Sequence, residues 1–84
     1  MIEGTPNPDA VKFTANRTIT DTPTTWLTGS RPEHPVGQTL LALPGVRSVF
    51  AVDDFVTVTR ESGVDWSVLE PAIESALVAA LSHP

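Results

Sequence analysis

Asp53 and Asp54, adjacent to each other and to Phe55, form the first pair of groups in the sequence with chemistry to offer. Paired carboxylates do acid–base work or hold a hard cation. A calcium site wants about six or more oxygens, however, and in a tight hairpin turn the two side chains diverge, so a turn role is the stronger reading. His34 and His83 are the two imidazoles of the chain, and neither has a partner at metal-ligand spacing. The second candidate set is Thr5-Pro6-Asn7-Pro8 with Lys12. Two prolines fix φ around an asparagine amide, and an ammonium follows close behind. Such a leader offers a peptide or an anion a stiff docking surface, or it pins a first strand at a sheet edge.

Other chemistry is excluded by absence of the residues it needs. With no cysteine in 84 residues, thiolate metal ligation, disulfides and a cysteine nucleophile are out of reach for this chain alone. No Gly-x-Ser-x-Gly elbow and no Gly-x-x-x-x-Gly-Lys loop occurs, and the five glycines are dispersed. Ten acids against five bases give a net charge of -5. Lys12, Arg17, Arg31 and Arg47 balance Glu3, Asp9, Asp21 and Glu33, whereas Asp53, Asp54, Glu61, Asp65, Glu70 and Glu74 face only Arg60. No basic stripe can be built, so nucleic acid and anionic membrane are not expected as partners. The start Met1-Ile2-Glu3-Gly4 has neither the basic nor the apolar part of a signal peptide, and the longest apolar run, 76–81, falls far short of the roughly 20 residues of a membrane span. A cytoplasmic protein is expected.

The elements that must position these residues follow from periodicity. A single domain over residues 1–84 is all this length accommodates. Val11, Phe13 and Ala15 alternate with polar residues as in a strand, and the threonine-rich stretch around 24–28, carrying Trp26, suits a second. Pro35 is placed to open a short helix with Val36, Leu40 and Leu43 on one face, and Pro44-Gly45 ends it. Val46, Ser48, Phe50 and Val52 alternate with Arg47, Val49 and Ala51; Asp53-Asp54 then turn the chain into a strand over 55–59. Trp66, Leu69, Ile73, Leu77 and Ala80 form the apolar stripe of a last helix, with Asp65 as N-cap and a Ser67–Glu70 capping box as its rival. Trp26, Trp66 and the three phenylalanines are expected as core anchors. The fold class is α+β: a two-layer sandwich of order ββαββα, with a four-stranded, mostly antiparallel sheet carrying two helices on one face.

Five blocks in this order resemble a known family. They are Thr5-Pro6-Asn7-Pro8, Lys12-Phe13, Leu43-Pro44-Gly45-Val46 with Ser48-Val49-Phe50, Asp54 through Thr59, and Asp65-Trp66 with Leu69 and Pro71. Together they are similar to the N-terminal domain of the Nfu family, the NifU-like proteins of iron–sulfur cluster assembly. The resemblance implies a compact α+β domain. In the family a following domain with a Cys-x-x-Cys motif holds the cluster between subunits, and no such motif occurs in this sequence. Two departures stand out: His34-Pro35-Val36-Gly37 replaces a Ser-Pro-Leu-Ala type helix start, and Glu70 precedes Pro71 where a lysine is common.

The resemblance implies a non-catalytic interaction module of iron–sulfur protein maturation, with no cofactor in this chain and with assembly proteins or apo clients as partners. Thr5, Pro6, Asn7, Pro8, Lys12, Asp53 and Asp54 are the expected contact residues. The alternative is a small-ligand or labile-metal binder drawing on Asp53, Asp54 and His34; an unrecognised enzyme ranks third.

Overall fold

Stretches of period two become strands and stretches of period 3.6 become helices. The computed structural model describes residues 2–4, 9–15 and 17–81. Its elements are β1 (Ile2–Gly4), β2 (Ala10–Thr14), β3 (Thr20–Leu27), α1 (Pro35–Leu41), β4 (Val46–Asp53), β5 (Phe55–Arg60) and α2 (Trp66–Leu81). The four longer strands and two helices follow the expected ββαββα order, and the three-residue β1 adds a fifth strand at one edge. The sheet runs β1-β2-β5-β4-β3 with every neighbouring pair antiparallel.

One face of this sheet is closed by the helices. Val11 and Phe13 of β2 lie opposite Val58 and Val56 of β5, which lie opposite Val49 and Ala51 of β4, and Val49 lies opposite Trp26 of β3. All of these are buried, and they form one core with Val36 and Leu40 of α1 and Leu69, Ile73, Leu77 and Ala80 of α2. At about 25 cal/mol per Å² of apolar area removed from water, this layer is the main source of stability.

Local signals open both helices where the sequence places them, although α1 closes at Leu41, short of Leu43, and β3 starts at Thr20, ahead of the expected 24–28 stretch. His34 caps α1, its Nδ1 accepting from the Val36 N–H at 3.1 Å, and Pro35 occupies the first turn. Gly45, at φ 97°, turns the chain from α1 into β4 in a conformation that side chains resist. Asp65 caps α2 through Oδ1 to the Ser67 N–H at 2.9 Å, so the earlier start prevails over the Ser67–Glu70 box. That hydrogen bond holds the Asp65 carboxyl below the usual carboxylate range; the Ser67 hydroxyl adds to the effect and the Arg60 charge contributes less.

Two irregularities shape β4 and β3. Val46 is opposite Arg60 but Ser48 is opposite Thr59, so Arg47 is an extra residue in β4, a β-bulge. The Thr28 hydroxyl fastens the bulge, sharing its proton between the carbonyls of Val46 (2.8 Å) and Arg47 (2.7 Å). A bulge changes which side chains share a face. Val46 therefore goes into the core with Val49 and Ala51, while Ser48, Phe50 and Val52 turn to the other side. The expectation that every aromatic anchors the core is thereby corrected: Phe13 and Trp26 are buried, whereas Phe50 is 38% exposed and Phe55 is half-buried on the uncovered face. In β3 a second register shift falls between Thr20 and Thr24, around Pro23. A proline has no ladder N–H to offer, and an edge strand is where that is tolerated.

Candidate interaction surface

Turning Phe50 outward leaves the sheet with a second face, covered by neither helix and built from alternate residues of four strands. Its central row reads Lys12, Thr57, Phe50, Thr25 across β2, β5, β4 and β3; beside it run Thr14, Phe55, Val52 on one side and Thr59, Ser48, Leu27 on the other. Phe55 is a diagonal neighbour of both Lys12 and Phe50. The Lys12 ammonium lies 4.5 Å from the Phe55 ring centroid, and the Phe50 and Phe55 rings are 6.4 Å apart and tilted by 51°. A cation over an aromatic face at an exposed site contributes about 0.5–1 kcal/mol and holds the ammonium over the apolar patch. Leu27, 59% exposed, extends the apolar strip toward the β3 edge. The result is a threonine-framed patch of two aromatics and a leucine with a cation at one side.

Asp53 and Asp54 stand at the end of the same two central strands. Val52 lies opposite Phe55, so the two aspartates alone make the turn, and Asp53 takes a left-handed φ of 54°. Their carbonyls fix the tip to the chain between β2 and β3, accepting from the N–H of Ile19 (2.6 Å, Asp53) and Ala15 (2.7 Å, Asp54). The turn reading of this pair is the structural one, and both residues are exposed. Thr5, Pro6, Asn7 and Pro8 lie outside the described residues, as does His83. Their flank Asp9 is described: its Oδ1 receives the Arg60 Nε at 3.1 Å, and its carbonyl accepts from the Arg60 N–H.

Both ring nitrogens of His34 are engaged within the chain. Its Nε2 is 2.7 Å from the Ile19 carbonyl, which can only accept, so the ring proton sits on Nε2 and Nδ1 is the acceptor that caps α1. The ring packs on Trp26 with centroids 5.5 Å apart. Among the described residues no three of His, Asp and Glu gather as a metal site would require. A metal at His34 would have to displace two hydrogen bonds, one to the Val36 N–H of the helix cap and one to the carbonyl of Ile19 just ahead of β3.

Two residues that periodicity did not single out hold the frame together. Arg60 spans three partners: Asp9, the Val64 carbonyl (Nη1, 2.7 Å) and the Trp66 ring, whose centroid is 5.2 Å from the guanidinium carbon. Gly37 lies against Trp26, and a Cβ there would come within 2.7 Å of the indole Cδ2. The unusual His34-Pro35-Val36-Gly37 start is thus the complement of Trp26: an imidazole to stack on the indole and a glycine to admit it. The signal for Arg60 was its isolation as the single base of an acidic stretch; Phe50 left no local signal.

The family model described as "Scaffold protein Nfu/NifU N terminal" matches residues 1–83. The chain is 33% identical over 79 residues to the human "NFU1 iron-sulfur cluster scaffold homolog, mitochondrial", the match covering 90% of this chain and 31% of that protein. It spans about a third of the length of that curated relative. Among solved structures it is similar to Staphylococcus aureus protein SAV1430, with a TM-score of 0.80 and 27% identity over 90% of this chain and 93% of that one. A NifU-like protein from Saccharomyces cerevisiae shares the fold, with a TM-score of 0.82 at 22% identity, covering all of this chain and 78% of the other.

Proposed function

This chain belongs to the Nfu/NifU scaffold N-terminal family, and on that premise we propose that it acts as a non-catalytic interaction module in iron–sulfur protein maturation. The observation that carries the reading is the family match over residues 1–83 in a sequence without cysteine. These 84 residues offer a cluster no thiolate, so in this reading the cluster is cargo ligated outside them. The partners are cysteine-bearing assembly proteins or their apo clients.

The contact surface is the uncovered sheet face around Lys12, Phe50 and Phe55, with the Asp53-Asp54 tip at its end and the leader Thr5, Pro6, Asn7 and Pro8 as its neighbour in sequence. An aromatic patch that water can reach, rimmed by hydroxyls and bearing one cation, is the composition that anchors protein partners. Among its described residues no acid, base and nucleophile converge as catalysis requires.

An anaerobic pull-down of tagged protein from its native lysate, with captured proteins identified by mass spectrometry, tests the reading. Cluster carriers or apo iron–sulfur enzymes are expected with the wild type and are expected to be lost with Lys12→Glu and Phe50→Ser, whose thermal midpoints stay close to wild type. Recovery of no protein of that class overturns the proposed function; recovery that both variants retain overturns the surface.

A further inference from the structure

A second apolar strip runs along the outward side of α2, in the layer opposite the uncovered sheet face. Val68, Pro71, Ser75 and Val78 follow one another by three, four and three residues, the spacing that lines one side of a helix. Val68 and Val78 are 71% and 62% exposed, and Pro71, Glu74, Ser75 and Val78 line a shallow depression. Pro71 has no N–H to give the Ser67 carbonyl one turn back, so the exposed end of the strip presents an acceptor without its usual helical donor.

Among the described residues the free charge around this strip has one sign. Glu74 and Glu70 run along one edge, Asp65 caps the start, and α2 contains no lysine or arginine. The two arginines at its ends are engaged: Arg60 with Asp9, the Val64 carbonyl and the Trp66 ring, and Arg17 with the Leu81 carbonyl. We propose that this strip docks an amphipathic segment of a partner protein whose aliphatic side chains are flanked by lysines or arginines. The valines and the proline supply apolar contact, and the partner's cations answer Glu70 and Glu74 and donate to the Ser67 carbonyl. A second copy of this chain does not fit, because its own Glu70 and Glu74 would be brought against the same residues with no cation between them. The strip is short, so the complex belongs to the transient class.

The site is independent of the proposed function, which uses the other layer, and the test separates them. Isotope-labelled full chain is titrated with three synthetic peptides of the length of α2: one with leucines at helical spacing and lysine flanks, one of the same composition scrambled, and one with glutamate flanks. The first is expected to shift the amides between Ser67 and Ala79, to bind Lys12→Glu as well as wild type, and to lose about tenfold in Kd to Glu74→Lys and to Val78→Ser. Both variants change exposed positions, and an unchanged thermal midpoint verifies that they fold. Equal affinity for the scrambled peptide, shifts confined to the uncovered sheet face, or a Val78-dependent dimer of the free chain in sedimentation would each overturn the proposal.

Discussion

The two faces of the sheet are made by the same strands from much the same residue types, yet they have opposite fates. Toward the helices, Val49, Val56 and Val58 are wholly buried and Phe13 nearly so; on the other side Phe50 and Leu27 meet water. What separates Phe13 from Phe50 is the parity of position, and in β4 that parity is set by the bulge at Arg47. Burial here is a property of register before it is a property of hydrophobicity. An aromatic left outside by register is then free to serve a partner.

The sharpest way to break this contrast is to truncate one ring on each face. Phe13→Ala is expected to cost about 3–5 kcal/mol, because it empties a closed core, whereas Phe50→Ala should cost about 1 kcal/mol or less. Equal losses in denaturant unfolding would show that the outer face is covered after all. Next in size is Gly37→Ala, which drives a methyl into Trp26 and should cost about 1–3 kcal/mol; the same change in a Trp26→Leu background should cost clearly less, a coupling read from a double-mutant cycle.

A smaller effect attends the caps that hold the helices over the covered face. His34→Ala removes the Val36 cap and the bond to the Ile19 carbonyl and should lower stability by about 1–2 kcal/mol, with His34→Asn restoring part of the loss by capping alone. The smallest is pH-dependent. Folding lowers the Asp65 carboxyl from its ordinary value of 3.8, so its contribution is complete above that value and disappears as pH falls through the lowered folded value. Asp65→Asn should flatten that part of the acid limb when midpoints are compared from neutral to strongly acidic pH, while leaving the neutral midpoint only slightly changed.

Much of this was legible along the chain because it depends on neighbours in sequence. The Asp53-Asp54 turn, the Pro35 start, the Pro44-Gly45 stop and the Asp65 cap act over one to four residues, a range that pattern reading covers. The candidate surface was legible in part: Lys12 was named for its place behind a proline-rich leader, but its partner Phe55 lies across a strand pair and was assigned to the core. The role of His34 was legible only in part, because its nitrogens are committed to groups two and fifteen residues away and only the first lies within reach of a local motif.

By itself, then, the sequence determined the order of the four longer strands and two helices, the helix starts, the acidic balance and the absence of cysteine, all of which follow from residue type and short spacing. The tertiary structure decided which side each side chain faces. One extra residue at Arg47, fastened by the hydroxyl of Thr28 nineteen residues earlier, reverses the alternation. The fit of Trp26 against Gly37 and His34 joins a strand to a helix that begins several residues later. Both depend on contacts between segments that meet only once the chain has folded, and for that reason the exposed aromatics of the sheet became visible in three dimensions and not before.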